Sequence, residues 1–225
     1  MESLKALLSA HPDLATAKIP GNDAGGRTPY VATDWPGHFL NVASTIAELI
    51  AHGAEVNARF TGWHTETPLH WAASSDDVEA LDAPLDRGGD IEAPGSVIGG
   101  GTPLADAVAF GQWQAAQRLV ERGAQTTLWQ AAGLGLMSRI REFFAGDEPP
   151  TAEEITNAFW VACHGGQREA AEYLLSRGAD LNWVGYDGLT PVDAANRSGA
   201  ILKRAAELVE WLRGRGAKSA KASET

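Results

Sequence analysis

Three polar side chains could do chemistry in this chain, and their types suggest what kind. Asp106 stands one helical turn before Phe110, at the i and i+4 spacing that puts two side chains on one helix face. A carboxyl group walled by aromatic rings loses solvation, so its pKa rises. An acid with a raised pKa in a cleft can protonate a substrate. His164 could serve as a base, as a hydrogen-bond donor or as an ordinary surface residue, and Gln130 could orient a substrate or a water. The competing reading of Asp106 is a solvated carboxylate, or one that accepts hydrogen bonds from the adjacent Gly99-Gly100-Gly101 loop. That glycine run precedes a helix and could in principle take an anion. No Lys or Arg stands beside it, and no phosphate-loop or dinucleotide fingerprint is present, so it reads as a hairpin tip. No His/Cys spacing suits zinc, and neither a metal nor another cofactor is implied.

What must position these residues is a repeated element. The phrase Thr67-Pro68-Leu69-His70-Trp71-Ala72-Ala73 returns in variant form from Thr28, Thr102, Thr126, Asn157 and Thr190. A closing Gly-Ala or near variant follows at Gly53, Gly88, Gly123, Ala145, Gly178 and Gly216. Proline after threonine suits a first helical turn, and glycine suits a left-handed cap. Self-similarity at a fixed period outranks local propensity as a guide to architecture. The phrase resembles the ankyrin repeat, whose signature is T-P-L-H-x-A at about 33 residues. The resemblance implies an all-α solenoid of about six helix-turn-helix units with short β-hairpin or loop connections.

The expected organisation is an N-terminal capping helix and loop over 1–25, then repeats over 26–218, then a frayed tail over 219–225. The units fall at about 26–58, 65–93, 100–124, 125–147, 155–183 and 188–218. The opening residues are spaced by 39, 35, 24, 31 and 33. The short step predicts that the third unit has lost its hairpin, since Gly123-Ala124-Gln125 runs almost directly into the next helix. Pro84 near the end of a second helix should break or kink its last turn. The fourth unit departs most from the signature. Its successor starts with an added helix beginning at Pro149-Pro150-Thr151.

On the first helix of each unit, one face is small and apolar: Leu69/Ala72/Ala73, Leu104/Ala107/Val108 and Phe159/Ala162/Cys163. Helices packed about 8–10 Å apart require such residues. Cys163 therefore reads as a buried hydrophobe. His70, the signature histidine, ties neighbouring units together if the resemblance holds. Trp113 and Trp211 fall on core positions of second helices, and Trp129 and Trp160 could bridge units. The resemblance places the opposite face and the loop tips on a concave groove. Its lining would be Trp35, Phe60, Trp63, His64, Trp71, Phe110, Leu134, Trp183 and Tyr186, around Asp106, Gln130 and His164.

Net charge is −11, which argues against a nucleic-acid or anionic-membrane binder. The segment 201–225 carries six bases and three acids, leaving −14 for the rest. A single cysteine excludes an intrachain disulfide. No apolar run has signal or membrane-span length, so the expectation is a cytoplasmic monomer. Two functions are compatible with these residues. One is a scaffold gripping a protein partner through aromatic anchors in the groove. The other is an apolar small-molecule pocket. It could be catalytic, as an acid-assisted lyase, isomerase or hydrolase acting on an epoxide or terpenoid with Asp106 as general acid.

Overall fold

The computed structural model describes residues 1–17, 32–34, 36–61, 64–197 and 202–220. Among these, every regular element is a helix: α1 (Glu2–Ala10), α2 (Val42–Ala51), α3 (Pro68–Ser74), α4 (Val78–Leu85), α5 (Pro103–Ala109), α6 (Trp113–Glu121), α7 (Leu128–Leu134), α8 (Met137–Ala145), α9 (Ala152–His164), α10 (Arg168–Ser176), α11 (Pro191–Arg197) and α12 (Leu202–Gly214). Two 3-10 turns, Pro12–Thr16 and Tyr186–Gly188, complete them. No described helix is long and apolar enough to cross a membrane. The opening Thr28-Pro29-Tyr30 lies outside the described residues.

The chain forms two units, 1–125 and 126–225. In the first, α1 and its 3-10 turn cover α2 through Leu8, Ala15 and Leu49. α3 packs on α4 and α5, and α5 on α6. In the second, α9 is the hub, packed on α7, α10 and α11, while α11 packs on α12. Threonine starts the inner helices, and small residues let them stack closely. Ala72, Ala73, Ala107, Val108, Ala131, Ala132, Ala162 and Cys163 have no exposed surface. At Gly165 a Cβ would stand 2.0 Å from the Gly133 carbonyl oxygen, so the end of α9 approaches α7 as only glycine allows.

The inner helices α3, α7, α9 and α11 share an N-terminal slot three residues after their threonine, filled by different residues, whereas α5 has Ala105 there and no such cap. The Thr67 amide donates to His70 Nδ1 (3.1 Å), the Thr127 amide to Gln130 Oε1 (2.8 Å), the Thr151 amide to Glu154 Oε2 (2.8 Å) and the Thr190 amide to Asp193 Oδ2 (3.2 Å). These are capping boxes, which satisfy amides that the helix leaves orphaned. The added start at Thr151 lengthens α9 to 13 residues. Pro84 lies in the last turn of α4, and the helix ends one residue later, at Leu85.

The connections are hydrogen-bonded fingers rather than strands. Gly95 and Gly100, Ser96 and Gly101, and Phe60 and Glu66 pair across their turns. Neighbouring fingers are stitched together: the Thr65 amide donates to the Gly95 carbonyl (3.3 Å), and the Asp90 amide to Asn57 Oδ1 (2.8 Å). Between α6 and α7 only residues 122–127 remain. At the C-terminus, Ser219 Oγ donates to Asp193 Oδ1 and the Ala220 amide to Asp193 Oδ2 (2.9 Å). Ser219 and Ala220 are therefore fastened to α11 instead of fraying, because a buried cap has two carboxylate oxygens to share. Residues 221–225 of the expected tail lie outside the described residues.

Candidate functional site

The polar centre of the first unit lies between two fingers and α5. α5 carries Asp106 inward, with 0% of its surface exposed. Ser96, in the finger before α5, donates its hydroxyl to Asp106 Oδ1 at 2.5 Å, and the Ile98 amide donates to Ser96 Oγ at 2.8 Å. Glu66, the residue before the threonine of α3, brings a second carboxyl into hydrogen-bonding reach of Asp106. Glu66 Oε2 receives Trp71 Nε1–H at 2.8 Å and stands 2.8 Å from His64 Nδ1. Asp106 Oδ2 is buried and meets no N–H or O–H donor.

Burial pushes the Asp106 carboxyl up to about 8; the Ser96 hydroxyl opposes this, and the nearby Glu66 charge adds to it. The acid is desolvated, but not by the neighbours that helix spacing suggested. Phe110 ends α5 with 47% of its surface exposed. What surrounds the carboxyl is a serine and a second acid from loops that no periodicity marks. A general acid must come within hydrogen-bond reach of its substrate. With no exposed surface and Ser96 across one oxygen, Asp106 is not offered to a bound molecule in this conformation.

Three aromatic rings of the first unit pack against one another. Phe60 is buried and stacks on His64 with ring centroids 4.2 Å apart, and Trp71 tilts against Phe60 at 5.6 Å. Phe60 thus forms a small core with Ala58 and Trp71 that holds the finger on α3, with His64 stacked on it. Trp35 and Trp63 lie outside the described residues. An open cleft of about 350 Å³ runs beside this core, lined by His64, Thr65, Gly95, Ser96, Val97 and Gly99. Gly95 makes the close approach possible: its φ is +125°, and a Cβ there would stand 2.5 Å from the Thr65 carbonyl oxygen.

His70 is structural. Its Nδ1 accepts from the Thr67 amide, so Nε2 carries the proton and faces the Gly101 carbonyl at 3.3 Å. Burial lowers its pKa to about 4. Gln130 is occupied in the same way: its amide oxygen caps α7, and it is buried.

The second unit gathers a separate set. Trp160 is buried, and its indole N–H donates to the Leu189 carbonyl at 2.9 Å, bridging two helix pairs. His164 lies half-buried, tilted against Trp160 at 5.5 Å. Tyr186 meets the edges of Trp160 (5.2 Å) and Trp183 (6.1 Å). Val184 and Tyr186 are each 56% exposed. Leu134 is half-buried at the end of α7. Cys163 is buried without polar company, which raises its thiol pKa and leaves it a packing residue. Among the described residues, no group of three or more metal-ligating side chains comes together.

Ser96 and Glu66 are the residues that spacing analysis missed. The available signal was Glu66 itself, a lone acid wedged against the most regular copy of the repeated phrase.

Comparison with curated proteins gives no match. The crystal structure of the human ASB11 ankyrin repeat domain is similar to this chain, at 22% identity over 87% of this chain and 90% of that one, with a TM-score of 0.48. The family model of the ankyrin repeat matches residues 156–186, the span holding most of α9, all of α10 and the finger that follows. Residues 156–186 thus match an ankyrin repeat, and threonine-capped inner helices, outer helices and bonded fingers of the same kind recur elsewhere among the described residues.

Proposed function

We propose that this chain is a scaffold that binds a protein partner through apolar side chains on its fingers and at the open ends of its inner helices. Ankyrin repeats are in general protein-interaction modules, and the finger after α10 supports that reading here. Val184 and Tyr186 are each 56% exposed there, and Trp183 lies edge-on to Tyr186. That exposure, on a loop closed by the Gly185 amide donating to the Leu189 carbonyl at 2.9 Å, is the observation that carries the proposal. Exposed apolar patches mark interaction sites, and Tyr and Trp dominate hot spots because they bury large area at small entropic cost. The first unit offers a second patch of the same kind in Ile98 and Phe110. The net charge of −11 favours a partner with a basic or neutral face.

The test is cross-linking mass spectrometry in cell extract, with the wild-type chain and a Val184→Asp/Tyr186→Ala variant as baits. Proteins cross-linked next to residues 183–186 should disappear from the variant, while its circular dichroism and melting temperature stay the same. An unchanged set of partners and cross-link sites would remove this finger from the interface.

A further inference from the structure

Two carboxyl groups face each other inside the first unit, and the donors around them are unequally shared. Glu66 Oε2 takes the Trp71 indole N–H and lies beside His64 Nδ1, while Asp106 Oδ1 takes the Ser96 hydroxyl, with the Ile98 amide near the same carboxyl. Asp106 Oδ2 has no donor. If both groups were ionised, two acceptors and two like charges would meet in a site where Asp106 has no water to screen it. A proton on Asp106 Oδ2 resolves this. It turns the orphaned oxygen into a donor toward Glu66 and leaves the negative charge on Glu66, which the Trp71 indole N–H and the His64 ring face.

The other charged groups nearby do not take this proton's place. His64 already sits on Glu66, and His70 caps α3. The Arg59 guanidinium donates to the Thr65 and Pro94 carbonyls. From the finger of Ser96, only that hydroxyl and the Ile98 amide face the pair.

Each member of this network comes from a different element. Glu66 ends the first finger, Asp106 lies on α5, and Ser96 lies inside the finger 93–101, whose turn is closed by four backbone bonds. We propose that the proton shared by Asp106 and Glu66 is a latch that holds the finger 93–101 against α5, and that losing it releases the finger. Ile98 rides on that finger, so release also alters the face offered to a partner. Only this last consequence rests on the binding reading above.

The test is amide hydrogen exchange at Gly95, Ser96, Ile98, Gly100 and Gly101, as protection factors from pH 6.5 to 9 and without any partner. In the wild type, protection should fall about tenfold or more across this range. In Asp106→Asn it should stay level within about twofold, because the amide N–H₂ donates to Glu66 where the acid proton did. Ser96→Ala should show low protection throughout. A level wild-type profile, or a fall that persists in Asp106→Asn, overturns the latch. If Asp106→Asn does not fold, Glu66→Gln removes the same repulsion and must also flatten the profile. Cross-links next to residues 183–186 that persist in Val184→Asp/Tyr186→Ala, together with the exchange profiles expected here, would instead count against the binding reading alone.

Discussion

At the scale of single residues, a buried polar atom is worth most where it has one partner that nothing else can replace. Trp160 is such a case. Its ring fills space against His164 and Tyr186, and its N–H satisfies the carbonyl of the buried Leu189. Trp160→Phe keeps an aromatic ring but removes one of the two donors to that carbonyl, leaving only the Gly185 amide, and opens a void. The expected loss is about 2 kcal/mol, read as a lower urea midpoint with an unchanged slope. Trp160 was legible in the sequence because it occupies the signature histidine position, from which a side chain reaches the next helix pair. Asp106 was also legible, as a lone carboxylate at a variable helix position. Its surroundings were not. Helix periodicity predicts which residues share a face, but Ser96 and Glu66 reach Asp106 from fingers, where chain direction is set by backbone pairing and positive-φ glycines. Phe110 was expected beside the acid. It instead sits at the C-cap of α5, where the helix has ended and its face no longer applies.

At the scale of elements, the capping slot shows how one geometry tolerates several chemistries. His70, Gln130, Glu154 and Asp193 each present an acceptor to the amide three residues earlier. Gln130 thereby becomes a helix cap, although its residue type also suited orienting a substrate. Asp193 does more than cap. It accepts from Thr190 Oγ (2.8 Å), from Ser219 and from the Ala220 amide, which holds its carboxyl below the usual range despite partial burial. Asp193→Ala should therefore free residues 217–220 as well as weaken α11. A cap of this type contributes about 1 kcal/mol. Limited proteolysis should show faster cleavage after Lys218 in the variant than in the wild type. Equal rates would mean that the segment is held by Lys218 and Asn182 alone, through the 2.7 Å bond from the Lys218 amide to Asn182 Oδ1. The helical units were readable because Thr-Pro and Gly-Ala are local start and stop signals. The fastening of the C-terminal segment was not, because Lys218-Ser219-Ala220 has no apolar side chain large enough to signal packing.

At the scale of the whole molecule, buried groups with opposite shifts set limits on stability at both ends of the pH scale. His70 has a folded pKa of about 4, lowered from 6.5 by burial. As pH falls from 6.5 towards 4, the unfolded chain takes up a proton that the folded chain refuses, so stability is lost on acidification. Asp82, held down by Arg118 and Arg122, and Asp193 extend this loss to lower pH for the same reason. Asp106 acts in the other direction. Its folded value is about 8 against 3.8 for the free group, so the folded chain keeps a proton that the unfolded chain has released. Its contribution is whole below pH 3.8 and is lost as pH rises towards 8. Between about pH 4 and 6.5 the His70 and Asp106 slopes oppose each other; above 6.5 only the Asp106 slope remains. The melting temperature of the wild type should therefore decline from about pH 6.5 to 8. Each unit of that decline corresponds to at most about 1.4 kcal/mol, or ~3–5 °C for a chain of this size. Asp106→Asn needs no proton to satisfy Ser96 and Glu66. It should match the wild type near pH 6 and melt several degrees higher at pH 8, as differential scanning calorimetry would show. An Asn variant that melts lower than the wild type at both pH values would mean that the carboxyl is ionised in the fold, with its charge met by a group other than Glu66.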